Sequence, residues 1–269
     1  MNATGVRPPA VAGSFYPADA RSLAALVDEQ LAAVQHRTPA TGSPAGIIVP
    51  HAGYVYSGPV AASAYALLRG RRRAVSRVVI AGPSHRVPLR GVAVPRSSTF
   101  LTPLGPVPVD EQLRAIAREH PEVSVDDRPH AAEHSLEVQL PFLQTVLGPE
   151  GWSALPLVVG HAEPAAIAAV LDALWDDETL LVLSTDLSHY EPYERAQVHD
   201  ARTAAAVVRK DLHAIGPYDA CGAYPLAGLL GLAGRRGLDV ALLDLRNSGD
   251  TAGPRDRVVG YGAFAVGWS

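Results

Sequence analysis

The chain alternates short, uninterrupted apolar runs with longer stretches of helical period. Apolar runs at residues 46–49, 77–81, 91–94, 154–159, 179–184, 240–244 and 259–266 lack the polar alternation of a half-exposed strand. They predict strands buried on both faces. Between them, apolar residues recur every three or four positions over 20–35, 60–69, 111–119, 136–147, 164–175, 195–214 and 225–236, which predicts helices. Buried strands interleaved with helices predict an α/β protein with one central, mostly parallel or mixed sheet and helices on both faces. No internal repeat interrupts the pattern. The Pro- and Thr-bearing stretch at 37–44 reads as a surface loop, so residues 1–269 are expected to form one domain.

Three of the apolar runs end in a short polar loop that carries a histidine. Ile47-Ile48-Val49 leads into Pro50-His51-Ala52-Gly53-Tyr54, and Val78-Val79-Ile80 leads into Ala81-Gly82-Pro83-Ser84-His85. Leu181-Val182-Leu183 leads into Ser184-Thr185-Asp186-Leu187-Ser188-His189. Ligand crevices of open α/β sheets lie beyond the carboxyl ends of the strands. If these strands are neighbours, the three histidines meet there.

Composition closes several alternatives. A formal net charge of −4 argues against a nucleic-acid partner, and the basic cluster at 69–73 reads as cations at a helix C-terminus. Lys210 is the only lysine and has no glycine-rich loop beside it, which excludes a P-loop. The most apolar stretch, 223–234, is too short to cross a bilayer and contains Pro225. The N-terminal residues show no secretory pattern. One cysteine, Cys221, excludes an intramolecular disulfide. A soluble, cytoplasmic protein without a membrane partner is expected.

His51 and His85 are the first candidates for metal ligands, because neutral imidazole suits iron, copper and zinc. Cys221 stands just before a predicted helix, where the N-terminus favours the thiolate that ligation or nucleophilic attack needs. It reads equally as a buried small hydrophobe. Asp186 and His189 read as an acid/base couple or a substrate clamp, or as a turn cap and a solvent-facing ring. His134 reads as a residue beside the site or as a surface residue next to a helix cap at Ser135. His36, His120, His130, His161, His199 and His213 are expected at the surface, with His199 on a helix near the site. No G-x-S-x-G elbow and no H-E-x-x-H occurs, while a Cys–His nucleophile pair stays open.

Seven segments then carry a resemblance over nearly the whole chain. AGSFYP (12–17), PHAGYVYSG (50–58), GPSHRVPL (82–89), TPLG (102–105), EHSLEVQLPFL (133–143), STDLSHY (184–190) and CGAYPL (221–226) resemble, in order, the Memo family, called AmmeMemoRadiSam system protein B in bacteria and archaea. That family is similar to class III extradiol dioxygenases, and the resemblance implies their α/β fold. It places metal ligands on His51, His85 and Cys221, with Asp186 and His189 lining the pocket and His134 near it. The dioxygenases use two histidines and a carboxylate on iron. Cysteine in place of the carboxylate is softer and oxidisable, so ring cleavage does not follow. The resemblance implies a ferrous centre first, with copper or zinc as alternatives, acting on an unidentified small substrate, aromatic molecules included. It also implies a functional link to radical-SAM and AMMECR-type proteins. The alternatives are a non-catalytic metal- or peptide-binding module and a metal-independent Cys–His enzyme.

Overall fold

The computed structural model describes residues 5–34, 44–69 and 75–267. The loop read at 37–44 and the basic cluster at 69–73 lie outside them except for Pro44 and Arg69, as does His36. The strands are β1 (Val6–Arg7), β2 (Gly46–Val49), β3 (Arg77–Pro83), β4 (Val92–Val94), β5 (Thr99–Thr102), β6 (Gly105–Pro108), β7 (Val123–Val125), β8 (Ser153–Val159), β9 (Thr179–Ser184), β10 (His189–Glu191), β11 (Val240–Asn247) and β12 (Val258–Val266). The helices are α1 (Ala20–Ala32), α2 (Tyr54–Tyr65), α3 (Glu111–Ala117), α4 (Arg128–Ala131), α5 (Leu140–Leu147), α6 (Pro164–Leu174), α7 (Tyr193–Arg209) and α8 (Ala223–Arg235).

The main sheet runs β10-β12-β2-β9-β3-β8-β4-β7, with β11 also on β12. Its centre, β2-β9-β3-β8, is parallel, and β12 and β4 join it antiparallel. The sheet is therefore mixed. Every residue of β2 and β9 is buried, as unalternated apolar runs require when both faces are covered. One helix layer is α1, α2 and α5, with α2 against β2, β11 and β12; α8 lies on β3 and β9 and carries α6. A smaller sheet, β1-β5-β6, stands apart.

Several boundaries differ from those expected. α2 begins at Tyr54, well before residue 60, because the Phe15 carbonyl accepts the Tyr54 N–H at 2.8 Å and Pro59 is carried inside the helix. α7 stops at Arg209 because Lys210 turns left-handed, at φ 58°, and only a 3₁₀ turn follows. The two-residue β1 and the short β5, β6, β7 and β10 were not anticipated, since such lengths carry little periodic signal.

Two glycines set the site. A Cβ on Gly82 would meet the Leu136 side chain at 2.8 Å and Ser135 Oγ at 3.0 Å, so glycine there lets the 133–136 segment lie on the end of β3. A Cβ on Gly222 would stand 2.8 Å from Thr185, and its absence lets the Gly222 N–H reach Thr185 Oγ1 at 2.9 Å. The stretch before α8 is thereby closed onto the end of β9.

Candidate metal centre

β2, β9 and β3 are consecutive in the sheet and parallel, so the three histidine-bearing loops leave the same edge side by side. One ligating atom each from His51, His85 and Cys221 lies within 4.8 Å of the others. His51 Nε2 is 3.3 Å from Cys221 Sγ.

The hydrogen bonds behind His51 settle which ring nitrogen holds its proton. Ser184 Oγ donates its one hydrogen to the Ser135 carbonyl at 2.6 Å and accepts from Gln139 Nε2 at 2.9 Å. The Gln139 amide is itself oriented, with Oε1 accepting from Tyr65 and Nε2 donating to the Pro50 carbonyl. Ser184 Oγ therefore meets His51 Nδ1, at 2.9 Å, as an acceptor. His51 carries its proton on Nδ1 and turns a bare Nε2 toward Cys221. Burial, and then the charges of His85 and His134, hold its pKa well below the ordinary value, so the ring is neutral.

His85 is oriented by Glu133, which sequence reasoning did not single out. The Glu133 carboxylate accepts from His85 Nδ1 at 2.9 Å, from the His85 N–H at 2.6 Å and from the Ser135 N–H at 2.9 Å. Burial opposes its charge, but hydrogen bonds and the His85 charge outweigh it and bring its pKa down to about 2. With Nδ1 spent on a carboxylate, His85 has Nε2 free. This arrangement recurs behind metal-bound histidines, but Glu133 stands 48 positions from His85, so no local pattern points to the pair. His85, Glu133 and His134 form a second group of ligating atoms, but Glu133 is already committed to three N–H groups. The two imidazoles and the thiol are the better set.

Cys221 is locked by backbone. Its N–H donates to the Asp186 carbonyl at 3.3 Å, and its sulfur accepts the Asp186 N–H at 3.3 Å. The expected thiolate bias of the helix start is overridden. Burial, and then Asp186, push the thiol up to about 12. A thiolate here needs a cation beside it, which a metal ion supplies, and a neutral thiol facing a neutral imidazole is a poor nucleophile pair.

Asp186 and His189 do not pair with each other. Asp186 Oδ1 accepts the His51 N–H at 2.7 Å, and burial raises its carboxyl to about 7. His189 Nδ1 bonds to the Leu187 carbonyl at 2.8 Å, which leaves Nε2 as a free acceptor. Burial lowers its pKa. His134 stacks on His85 at 4.7 Å and lies 4.7 Å from Phe15; its Nδ1 is buried without a hydrogen bond. Burial takes its pKa down to about 4.

All six residues edge onto open space. A cavity of about 520 Å³ is lined by His51, His85, His134, Asp186 and His189, with Phe15, Tyr56, Tyr190 and Tyr261 among its walls. A second cavity of about 420 Å³ meets His85 and Cys221 from another side. Of the histidines expected at the surface, His130 is buried, with Nε2 on the Ala93 carbonyl at 3.0 Å. A helical residue facing inward looks the same in sequence as one facing out. His199 is held between Glu191 and Asp219 at 3.1 and 2.8 Å.

A mixed α/β sheet with two oriented imidazoles and a thiol gathered at the ends of its parallel strands defines a protein with a candidate mononuclear metal pocket. The family model described as Memo-like protein matches residues 7–265, and the chain belongs to the Memo family. A MEMO1 family protein of Thermoplasma volcanium is 34% identical over 97% of this chain and 98% of its own. One from Ignicoccus hospitalis is 36% identical, covering 96% and 97%. Among solved structures, an uncharacterized Escherichia coli protein, JW3007, shares the fold at TM-score 0.51 and 16% identity, over 81% of this chain and 98% of that one. Among the described residues no helix is long and apolar enough to cross a membrane.

Proposed function

We propose that this is a cytoplasmic, mononuclear non-haem metal oxidoreductase acting on a small molecule, with His51, His85 and Cys221 as ligands and ferrous iron as the first candidate, before copper or zinc. One observation carries the reading: two hydrogen-bond networks that meet at Ser135, one through Ser184 behind His51 and one through Glu133 behind His85, both leave Nε2 as the available nitrogen. The donor set of two imidazoles and a soft sulfur fits iron, copper or zinc and is poor for magnesium or calcium. When bound, a redox-active ion supplies electron transfer and Lewis acidity.

The chain's own groups do the rest. His189 offers an unprotonated Nε2 beside the cavity and receives a proton from the substrate. Asp186 holds the His51 backbone and the Cys221 sulfur in place, on the same loop that ends in His189. The ring of Phe15, 4.7 Å from that of His134, forms an apolar part of the wall that restricts water. The class III dioxygenase likeness belongs to this reading, as does a link to radical-SAM and AMMECR-type proteins. Sulfur in place of a carboxylate predicts weak or no ring cleavage of simple catechols.

The test is oxygen uptake by anaerobically iron-loaded protein over a panel of catechols and related phenols. Uptake above that of metal-free protein and of His51→Ala is expected. Stoichiometric iron with no uptake on any compound would favour a binding module instead, and no iron would overturn the reading altogether.

A further inference from the structure

The wall of the large cavity contributed by β10 and the turn before β12 carries a feature that the metal reading does not use. Arg257 lines the cavity, with its guanidinium 5.1 Å from the centre of the Tyr190 ring. Among the described residues no carboxylate lies within ion-pair distance of it. Its neighbour Arg255 is differently employed, 4.3 Å over Tyr193 with Nε toward the Gly249 carbonyl. Two arginines two positions apart thus have different fates, one tied to the 248–250 turn and one free beside the cavity.

Tyr190 is held in an unusual way. Its φ is 60°, in the left-handed region that a bulky residue seldom adopts. His189 and Glu191 pair with Val259 and Val258 across an irregular register, and Tyr190 is the residue squeezed out between them. Tyr190 is 63% exposed and lines the cavity. Strained backbone that presents a side chain to a cavity is a recurrent mark of ligand sites. Here it presents an aromatic face against which the guanidinium rests.

Phe15, Tyr56 and Tyr261 are the other benzenoid residues of the lining. Asp186, the one acid among the lining residues, is buried against the His51 N–H. Arg257 is the lining side chain with a permanent charge.

We infer that Arg257, braced by Tyr190, is the specificity-determining residue of this cavity, and that the ligand it selects is a planar aromatic carboxylate. The carboxylate pairs with the guanidinium, and the ring lies among the aromatic walls with its far edge toward His51 and His85. A single planar guanidinium matches the two oxygens of a carboxylate, and its fork geometry is not reproduced by lysine. A cavity of about 520 Å³ takes a ring of this size with room to spare. The inference rests on the reading that this cavity is the working site, but it does not depend on which metal is bound.

The test compares para-hydroxybenzoate with its neutral isostere para-hydroxybenzamide, by titration calorimetry and saturation-transfer NMR. Both are titrated into metal-free and zinc-loaded wild type, Arg257→Gln and Arg257→Lys. Wild type should prefer the acid about tenfold, the gain typical of a partly exposed charge-assisted pair. Arg257→Gln should bind acid and amide alike, and Arg257→Lys should fall between. Zinc content, measured on the same samples, reports the metal reading separately: protein without zinc that still prefers the acid upholds this inference while the metal reading fails. Equal binding of the two probes by wild type, an unchanged preference in Arg257→Gln, or no binding of the acid in either metal state would overturn it. Arg257 is exposed, and unchanged thermal unfolding of the variants is expected.

Discussion

Replacing Glu133 by glutamine perturbs the site without touching a ligand. The carboxylate is 1% exposed and accepts three N–H groups. A glutamine whose amide oxygen takes the Oε1 position keeps the bonds to His85 Nδ1 and the Ser135 N–H. Its NH₂ group then faces the His85 backbone N–H, where the carboxylate oxygen stood at 2.6 Å. One buried donor is stranded, at about 1–3 kcal/mol, and the two surviving bonds lose their charge assistance. The same bonds depress the Glu133 pKa from 4.5 to about 2, which corresponds to about 3 kcal/mol. The sign is that of a depressed carboxylate. Its contribution is present above pH 4.5 and is lost as pH falls toward 2. We expect Glu133→Gln to lose about 3 kcal/mol in urea unfolding at neutral pH. Zinc affinity, measured by chelator competition, should fall about 10- to 100-fold as the His85 ring loses its anchor. Wild-type zinc affinity together with a wild-type unfolding midpoint would refute the assignment of Glu133 as the group that orients His85.

His189→Ala should keep full metal content while losing turnover or ligand binding, because its ring is bonded to the Leu187 carbonyl and is not part of the ligand cluster; metal loss equal to that of His51→Ala would make it a ligand. Gly222→Ala should force the Cys221 loop off β9, since the new Cβ meets Thr185 at 2.8 Å; zinc affinity should drop at least about tenfold, as for other disturbed metal surroundings, and unchanged affinity would contradict the close approach. His130 is buried and its pKa is lowered from 6.5 to about 4 by burial, so its contribution is present above pH 6.5 and is lost as pH falls toward 4. The stability gap between wild type and His130→Gln should therefore shrink by about 3 kcal/mol over that window, read from urea unfolding at each pH, and a constant gap would refute it.

The parallel core and the meeting of the histidine loops were legible because they rest on simple regularities. Runs such as Leu180–Leu183 have no polar residue to turn outward, so both sides must be covered, and a loop that follows each buried strand must emerge at the same edge when the strands are parallel. The other half of the site was not legible. Glu133 reaches His85 across 48 positions, and Ser184 reaches Ser135 across 49, pairings that leave no local pattern. The segments 12–17 and 133–143 stood out as motifs, yet much of their content is scaffolding. Glu137 accepts from Arg7, Tyr16 and the Val11 N–H, and so ties the N-terminal segment beneath the site. For Cys221 the local sequence left a helix-start thiolate and a buried small hydrophobe equally open, and burial, which no local pattern shows, decides for the neutral thiol. Tyr190 gave no warning of its left-handed backbone, since that follows from an irregular pairing with β12 and not from its own type.

The central claim is that His51, His85 and Cys221 bind one metal ion together. X-ray absorption on anaerobically prepared, zinc-reconstituted protein tests it most directly, with elemental analysis on the same sample. The account predicts one ion per chain, two imidazole nitrogens at about 2.0–2.1 Å and one sulfur at about 2.3 Å, with the sulfur shell gone in Cys221→Ser. A bound ion with no sulfur shell in the wild type, or no stoichiometric ion at all, would contradict it.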